Sequence, residues 1–155
     1  MTIHQHQPSQ GLRAIILAGG RGTRLHPFTI NFPKPLMPVG DRPILEVLME
    51  RLVAHGITDI TISVGHLAEL IRAYFDQRPR WKEKIKLSFV QESSPLGTAG
   101  ALALVPDLHQ TFLVLNGDLL TDLDFNALLD FHCKNSASLT VAAHRRDVKI
   151  DLPSV

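Results

Sequence analysis

Gly19, Gly20 and Gly22 stand beside Arg21 and Arg24, directly after the apolar run Ala14-Ile15-Ile16-Leu17-Ala18, and Lys34 follows between Pro33 and Pro35. Glycine turns at positive φ and lets an anion approach the main chain with no Cβ in the way. Successive N–H groups can then converge on anionic oxygens, and arginine adds a planar fork of donors that suits phosphate. A lysine set between two prolines, each with φ held at about −65°, loses little extra entropy when its ammonium is aimed. In this order, these residue types suit the chemistry of a nucleoside triphosphate. Two other glycine motifs are excluded by spelling. No Gly-Lys-Ser/Thr closes a Walker loop, and the dinucleotide pattern begun by Gly20 and Gly22 meets Leu25 where its third glycine belongs.

A carboxylate completes the constellation. Asp118 follows Leu115-Asn116-Gly117 at the end of an apolar run. Mg²⁺ prefers one or two carboxylates together with substrate phosphates and water, and a strand-end aspartate can supply the first of these. Capping a turn is the plainer role. Asp122 and Asp124 read as turn and helix-cap residues. The eight histidines show no H-x-x-x-H or Cys/His ligand spacing, and adjacent His132 and Cys133 point in different directions on a helix, so no histidine metal site is expected.

Strands and helices must alternate to bring these residues together. Arg13 to Ala18 is continuously apolar, as in a parallel strand buried on both faces. Pro43 to His55 reads as a helix, with Ile44, Leu45, Leu48 and Leu52 on one stripe and Gly56 beyond its end. Asp59 to Val64 is a β-branched strand, followed by a helix with Leu67, Leu70, Ile71 and Tyr74 on one face. Arg78-Pro79-Arg80 is read as a break, and Ile85 to Gln91 as a strand. Pro95 to Thr98 opens a short helix that ends before Pro106, Thr111 to Asn116 is a further buried strand, Asp124 caps a helix through Cys133, and Ser138 to Ala143 is the last strand. Strict β-α alternation predicts an α/β fold, a Rossmann-like open and mostly parallel sheet with helices on both faces. Ligands of such sheets bind beyond the carboxyl ends of the strands, where the loops after Ala18, Gln91 and Asn116 all fall.

The 155 residues suffice for one domain with a real core and are too few for two ordinary ones. Sixteen basic against fifteen acidic side chains leave a charge of +1, which gives no reason to expect nucleic acid or an anionic membrane as partner. The single cysteine, Cys133, excludes an internal disulfide framework and suits a reducing cytosol. Met1 to Gln10 lacks the apolar stretch of a signal peptide, and no apolar run approaches the roughly 20 residues that span a bilayer. The expectation is a cytoplasmic protein with a flexible tail over 1–11 and one domain over 12–155, without internal repeats.

The run Leu17 to Leu25, with Pro27, Thr29 and Pro33-Lys34-Pro35, resembles the signature of the sugar-1-phosphate nucleotidyltransferases, the nucleotide-sugar pyrophosphorylases. The resemblance continues through Gly97-Thr98-Ala99-Gly100-Ala101 and Asn116-Gly117-Asp118, from about Arg13 to the end. It implies a fold of the nucleotide-diphospho-sugar transferase type and attack of a sugar 1-phosphate oxygen on the α-phosphorus of an NTP, with release of pyrophosphate. It implies nucleotide binding by Leu17, Ala18, Gly19, Gly20, Gly22, Thr23, Arg24, Glu92, Gly97 and Thr98. The glycines and Thr23 would wrap the β- and γ-phosphates, with Arg24, Lys34 and Asp118 as catalytic residues and Mg²⁺ on Asp118. Thymidylyl and many uridylyl relatives commonly carry glutamine where this chain has Glu92. A carboxylate only accepts hydrogen bonds, which suits the paired N1–H and 2-amino donors of guanine. Glu92 with Leu96-Gly97-Thr98-Ala99-Gly100 is similar to the mannose-1-phosphate guanylyltransferase branch, so GTP is favoured; a solvated strand-end glutamate is the plainer role. The family runs on to a Glu-Lys-Pro element and a second metal-binding aspartate, absent after Ser138. The chain is therefore read as the truncated, nucleotide-binding N-terminal portion of that fold, either an enzyme or a non-catalytic nucleotide-binding module, with a homo-oligomer as one way to complete an unfinished sheet.

Overall fold

The computed structural model of the chain describes residues 11–94, 96–108 and 110–145. At its centre is β1 (Arg13–Ala18), where Ala14, Ile15 and Ile16 have no exposed surface. It pairs in parallel on one side with β4 (Asp59–Val64), Arg13 opposite Asp59 and Ala18 opposite Val64. On the other side it pairs in parallel with β6 (Phe112–Asn116), Leu17 opposite Asn116. The outer edge of β4 takes β5 (Lys86–Gln91), again parallel. The sheet order is thus β5-β4-β1-β6. The chain steps from β1 through β4 to β5 on one side and reaches β6 on the other, so the order reverses between β1 and β6. That is where an open α/β sheet leaves a crevice at the carboxyl ends of its strands.

A short antiparallel hairpin, β2 (Pro38–Val39) and β3 (Arg42–Pro43), leads into α1 (Ile44–Ala54), which buries Leu45, Leu48, Met49 and Leu52. Next come α2 (Ala68–Asp76), α3 (Pro79–Lys84), α4 (Gly97–Gly100), a 3₁₀ turn over Ala101–Leu104, and α5 (Phe125–Lys134). The main core cluster takes Ala14, Ile16 and Ala18 from β1 and Leu48, Leu52, Ile71, Phe75 and Phe125 from the helices. Ile15, on the opposite face of the strand, is buried outside that cluster, as are Ala101 and Val105. The expected α/β fold is therefore the observed one.

Four local expectations are corrected. Ser138 to Ala143 forms no strand, and Leu139 and Val141 are 79% and 72% exposed. A strand needs a neighbouring ladder, and no described strand pairs with this segment. Thr111 to Asn116 is not a buried strand throughout: β6 lies at the sheet edge and buries only Leu115. The helix after β4 begins at Ala68, with Leu67 left-handed before it, so its buried stripe is Ala68, Ile71 and Phe75, and Leu70 is exposed. Pro79 opens α3 rather than breaking the chain, because the first position of a helix has no use for an N–H donor. Asp124 caps α5 as expected, accepting from Asn126 and Ala127 N–H at 2.9 and 3.0 Å. Residues 1–10 of the expected tail over 1–11, Pro95 and the closing Asp147–Val155 lie outside the described residues.

Candidate nucleotide-binding site

A cavity of about 440 Å³ opens at the carboxyl edge of the sheet. From the end of β1 it is lined by Leu17, Ala18, Gly19, Gly20, Gly22 and Arg24, and from the following loop by Lys34 and Pro35. The segment after β5 contributes Glu92, Gly97, Thr98 and Ala101, and the end of β6 contributes Asn116 and Asp118. Three loops far apart in the chain converge because four parallel strands end in register. Of the residues expected in the site, only Thr23 does not line the cavity; it is exposed in the 3₁₀ turn Thr23–Leu25. Arg24 is exposed at the rim.

The glycines divide by role. A Cβ on Gly20 would meet nothing within 4 Å, so its backbone faces open space. Gly22 has φ +61, a left-handed conformation that favours glycine. Gly19 makes room for a side chain: a Cβ there would lie 2.4 Å from Glu92 Oε1. Gly65, which sequence reasoning passed over, and Gly117, quoted there only within the Asn116-Gly117-Asp118 run, are packing glycines. A Cβ on Gly65 would stand 2.9 Å from the Gly19 carbonyl oxygen, and one on Gly117 would stand 3.2 Å from the Leu17 oxygen. The legible signal for both was their place directly after an apolar strand.

Glu92 is held at two points. Its Oε1 accepts from Ser63 Oγ at 3.2 Å and its Oε2 from Leu96 N–H at 3.2 Å. Ser63 is fully buried on β4, and a buried hydroxyl without a partner is costly. The contact therefore settles both groups and spreads the two carboxylate oxygens along the cavity wall. Each oxygen keeps a lone-pair direction beyond the one used.

Lys34 Nζ forms an ion pair with Asp118 Oδ2, both side chains about one-third exposed or less. Lys34 begins a 3₁₀ turn whose Pro35 and Leu36 are buried, which fixes its root. Asp118 sits on the turn that follows β6, where Gly117 N–H donates to Leu17 O at 2.8 Å. The two residues expected to meet phosphate and metal thus face each other. Among the described residues no three His, Cys, Asp or Glu side chains gather as a metal cage. A lone carboxylate beside a glycine loop nonetheless fits Mg²⁺, which fills most of its shell with phosphate oxygens and water when a phosphate ligand is bound. Among the described residues no helix is long and apolar enough to cross a membrane.

A parallel sheet whose switch point gathers a glycine loop, a lysine and an aspartate defines an open α/β domain with its candidate site at the strand ends. Residues 13–150 match the family model described as nucleotidyl transferase, and the chain belongs to that family. It is 36% identical over 149 residues to the mannose-1-phosphate guanyltransferase of Yarrowia lipolytica, covering 92% of this chain and 39% of that protein. To the UTP–glucose-1-phosphate uridylyltransferase of a Synechocystis species it is 38% identical over 141 residues, covering 84% of this chain and 36% of the relative. Among solved structures, HddC from Yersinia pseudotuberculosis complexed with GMP-PN superimposes with a TM-score of 0.66 at 32% identity, over 78% of this chain and 54% of that one. The chain spans well under half the length of these curated relatives.

Proposed function

We propose that this chain binds a nucleoside triphosphate, GTP in preference to other bases, and transfers its nucleotidyl group to a sugar 1-phosphate. The observation that carries the reading is the convergence of the glycine cradle, Lys34, Asp118 and Glu92 on one cavity at the strand ends. In the reaction a phosphate oxygen of the sugar 1-phosphate forms a bond to the α-phosphorus. The bond from that phosphorus to the bridging oxygen breaks, and pyrophosphate leaves with the electron pair. Such a step depends on alignment and charge neutralisation more than on covalent help.

Gly20 and Gly22 offer N–H groups to the β- and γ-phosphates, and Arg24 meets the charge that grows on the departing pyrophosphate. The Lys34 ammonium turns from Asp118 to the α-phosphate region, and the freed carboxylate is the residue that would hold Mg²⁺. The metal, when bound, screens the triphosphate and polarises the phosphoryl group. Glu92 accepts from guanine N1–H and the 2-amino group with its remaining lone pairs. The 36% identity to a guanyltransferase and the likeness to a structure complexed with GMP-PN support the base, while the uridylyltransferase relative keeps UTP as its competitor. The single, exposed thiol of Cys133 supports a reducing, cytoplasmic setting.

A second reading of the same cavity is a nucleotide-binding module without transfer activity. One experiment addresses both. Thermal melts with Mg²⁺ and each of GTP, ATP, CTP, UTP and dTTP are paired with a pyrophosphate-release assay using mannose 1-phosphate. A GTP-selective rise with Asp118-dependent pyrophosphate release supports the enzyme. A selective rise without release supports the module, and no rise with any nucleotide refutes both.

A further inference from the structure

Thr29 lies outside the cavity, yet its hydroxyl reaches the glycine loop. It is 1% exposed, and its Oγ1 donates to the Gly22 carbonyl oxygen at 2.8 Å. The buried polar side chains elsewhere in the described chain each pair with another side chain. Thr61 pairs with Ser88, Ser63 with Glu92, and Glu46 with Tyr74 and Arg80. The Thr29 hydroxyl alone among them takes main chain from the cradle.

The same Gly22 oxygen also accepts from Leu25 N–H at 2.9 Å. A carbonyl has two lone pairs, and both are now engaged, so the peptide between Gly22 and Thr23 cannot rotate. In a trans peptide the C=O and the following N–H point in opposite directions. Holding the Gly22 oxygen towards Thr29 therefore sets the Thr23 N–H on the opposite side of the loop. The methyl end of Thr29 adds a second constraint. A Cβ on Gly22 would lie 3.0 Å from Thr29 Cγ2 and 3.3 Å from Lys34 Cβ, so the face of Gly22 that lacks a side chain packs against both residues. One side chain thus fixes which way the cradle's N–H groups face and how far the cradle stands from the lysine.

We propose that Thr29 is a positioning residue for the triphosphate: its hydroxyl locks the Gly22–Thr23 peptide so that the loop's donors and Lys34 address the same phosphate chain. This rests on the nucleoside triphosphate reading of the site. A merely structural threonine would serve as well with its hydroxyl replaced by methyl, and a change there would lower stability without regard to how many phosphates a ligand carries.

The test is isothermal titration of the full chain with GTP and with GMP, in Mg²⁺, for the wild type, Thr29→Val, Thr29→Ser and Thr29→Ala, with a melt of each. The expected wild type binds GTP more tightly than GMP. Thr29→Val keeps the shape and loses the donor; it lowers the GTP-to-GMP affinity ratio about tenfold, the value of one lost hydrogen bond to a bound anion's cradle. Thr29→Ser keeps the donor and the ratio. Thr29→Ala lowers the ratio as valine does and stands in for it should valine in a polar niche prevent folding. A preserved ratio in Thr29→Val or Thr29→Ala, or an equal loss in Thr29→Ser, overturns the proposal while leaving the triphosphate site intact. A wild type that binds GTP no better than GMP overturns the underlying reading, and the proposal with it.

Discussion

Replacing Gly19 by alanine isolates the contact that holds Glu92 in place. Gly19 is not among the residues of positive φ, so alanine carries no backbone penalty there. Its Cβ would nevertheless stand 2.4 Å from Glu92 Oε1 and 3.3 Å from Cδ. The carboxylate must swing away, giving up Ser63 Oγ and Leu96 N–H, each at 3.2 Å. Hydrogen bonds to a charged group contribute about 1.5–3 kcal/mol apiece, and water restores part of this at a half-buried carboxylate, so the net cost is about 2 kcal/mol. In a chain of this size that lowers Tm by about 4–8 °C. The assay is a double-mutant cycle in urea with Glu92→Ala as the second change. Once the side chain that would be struck is gone, Gly19→Ala costs almost nothing, and the coupling equals most of the single-mutant penalty. Gly65→Ala is the control: its Cβ meets the Gly19 main chain at 2.9 Å, so truncating Glu92 brings it no relief. A Gly19→Ala penalty of the same size with and without the Glu92 side chain refutes the reasoning.

Glu92→Gln replaces an acceptor-only group by one that also donates. The amide oxygen can keep Leu96 N–H and the amide nitrogen can meet Ser63 Oγ, so the fold is retained while preference moves from GTP towards UTP and dTTP in ligand-dependent melts. Lys34→Met frees Asp118 from its ion pair; the nucleotide-free chain then binds Mn²⁺ more tightly, read by the electron paramagnetic resonance signal of unbound Mn²⁺, and unchanged affinity refutes the exchange. The Asp124 carboxylate is held below its ordinary value of 3.8, chiefly by the Ala127 N–H. Its contribution is therefore full above that value and is lost as pH falls through the lower folded value. Tm of the wild type accordingly drops in that acid window, and Asp124→Asn flattens that part of the profile; an identical acid limb in both refutes the cap's share.

How much was legible differed by element, for physical reasons. Ala14 to Ala18 could be read as a doubly buried strand because an unbroken apolar run has few other stable fates. Val114 is as apolar as Ile15, yet it is 38% exposed, because burial on β6 depends on a neighbour that local sequence does not specify. Pro79 misled because the ring that stops a helix from within also starts one. In the site, the glycine cradle was legible from composition and order. The pairing of Lys34 with Asp118 was not, since it follows from the register that sets Leu17 opposite Asn116. Nor was the Ser63–Glu92 bond, which needs β4 and β5 aligned to within one residue. Thr29 stood in plain view in the signature, but only its burial and its carbonyl partner reveal what its hydroxyl does.

The sheet order has a consequence for how the site comes apart. The glycine cradle hangs from β1, which is laddered on both sides, whereas Glu92 follows edge strand β5 and Asp118 follows edge strand β6. Local opening begins where backbone bonds are exposed on one side and reaches a doubly paired central strand last. Amide hydrogens of β1 should therefore exchange only by global unfolding, while those at the ends of β5 and β6 exchange through smaller openings. On warming, the protein would release Glu92 and Asp118 from their places first, and give up the glycine loop only when the whole domain melts.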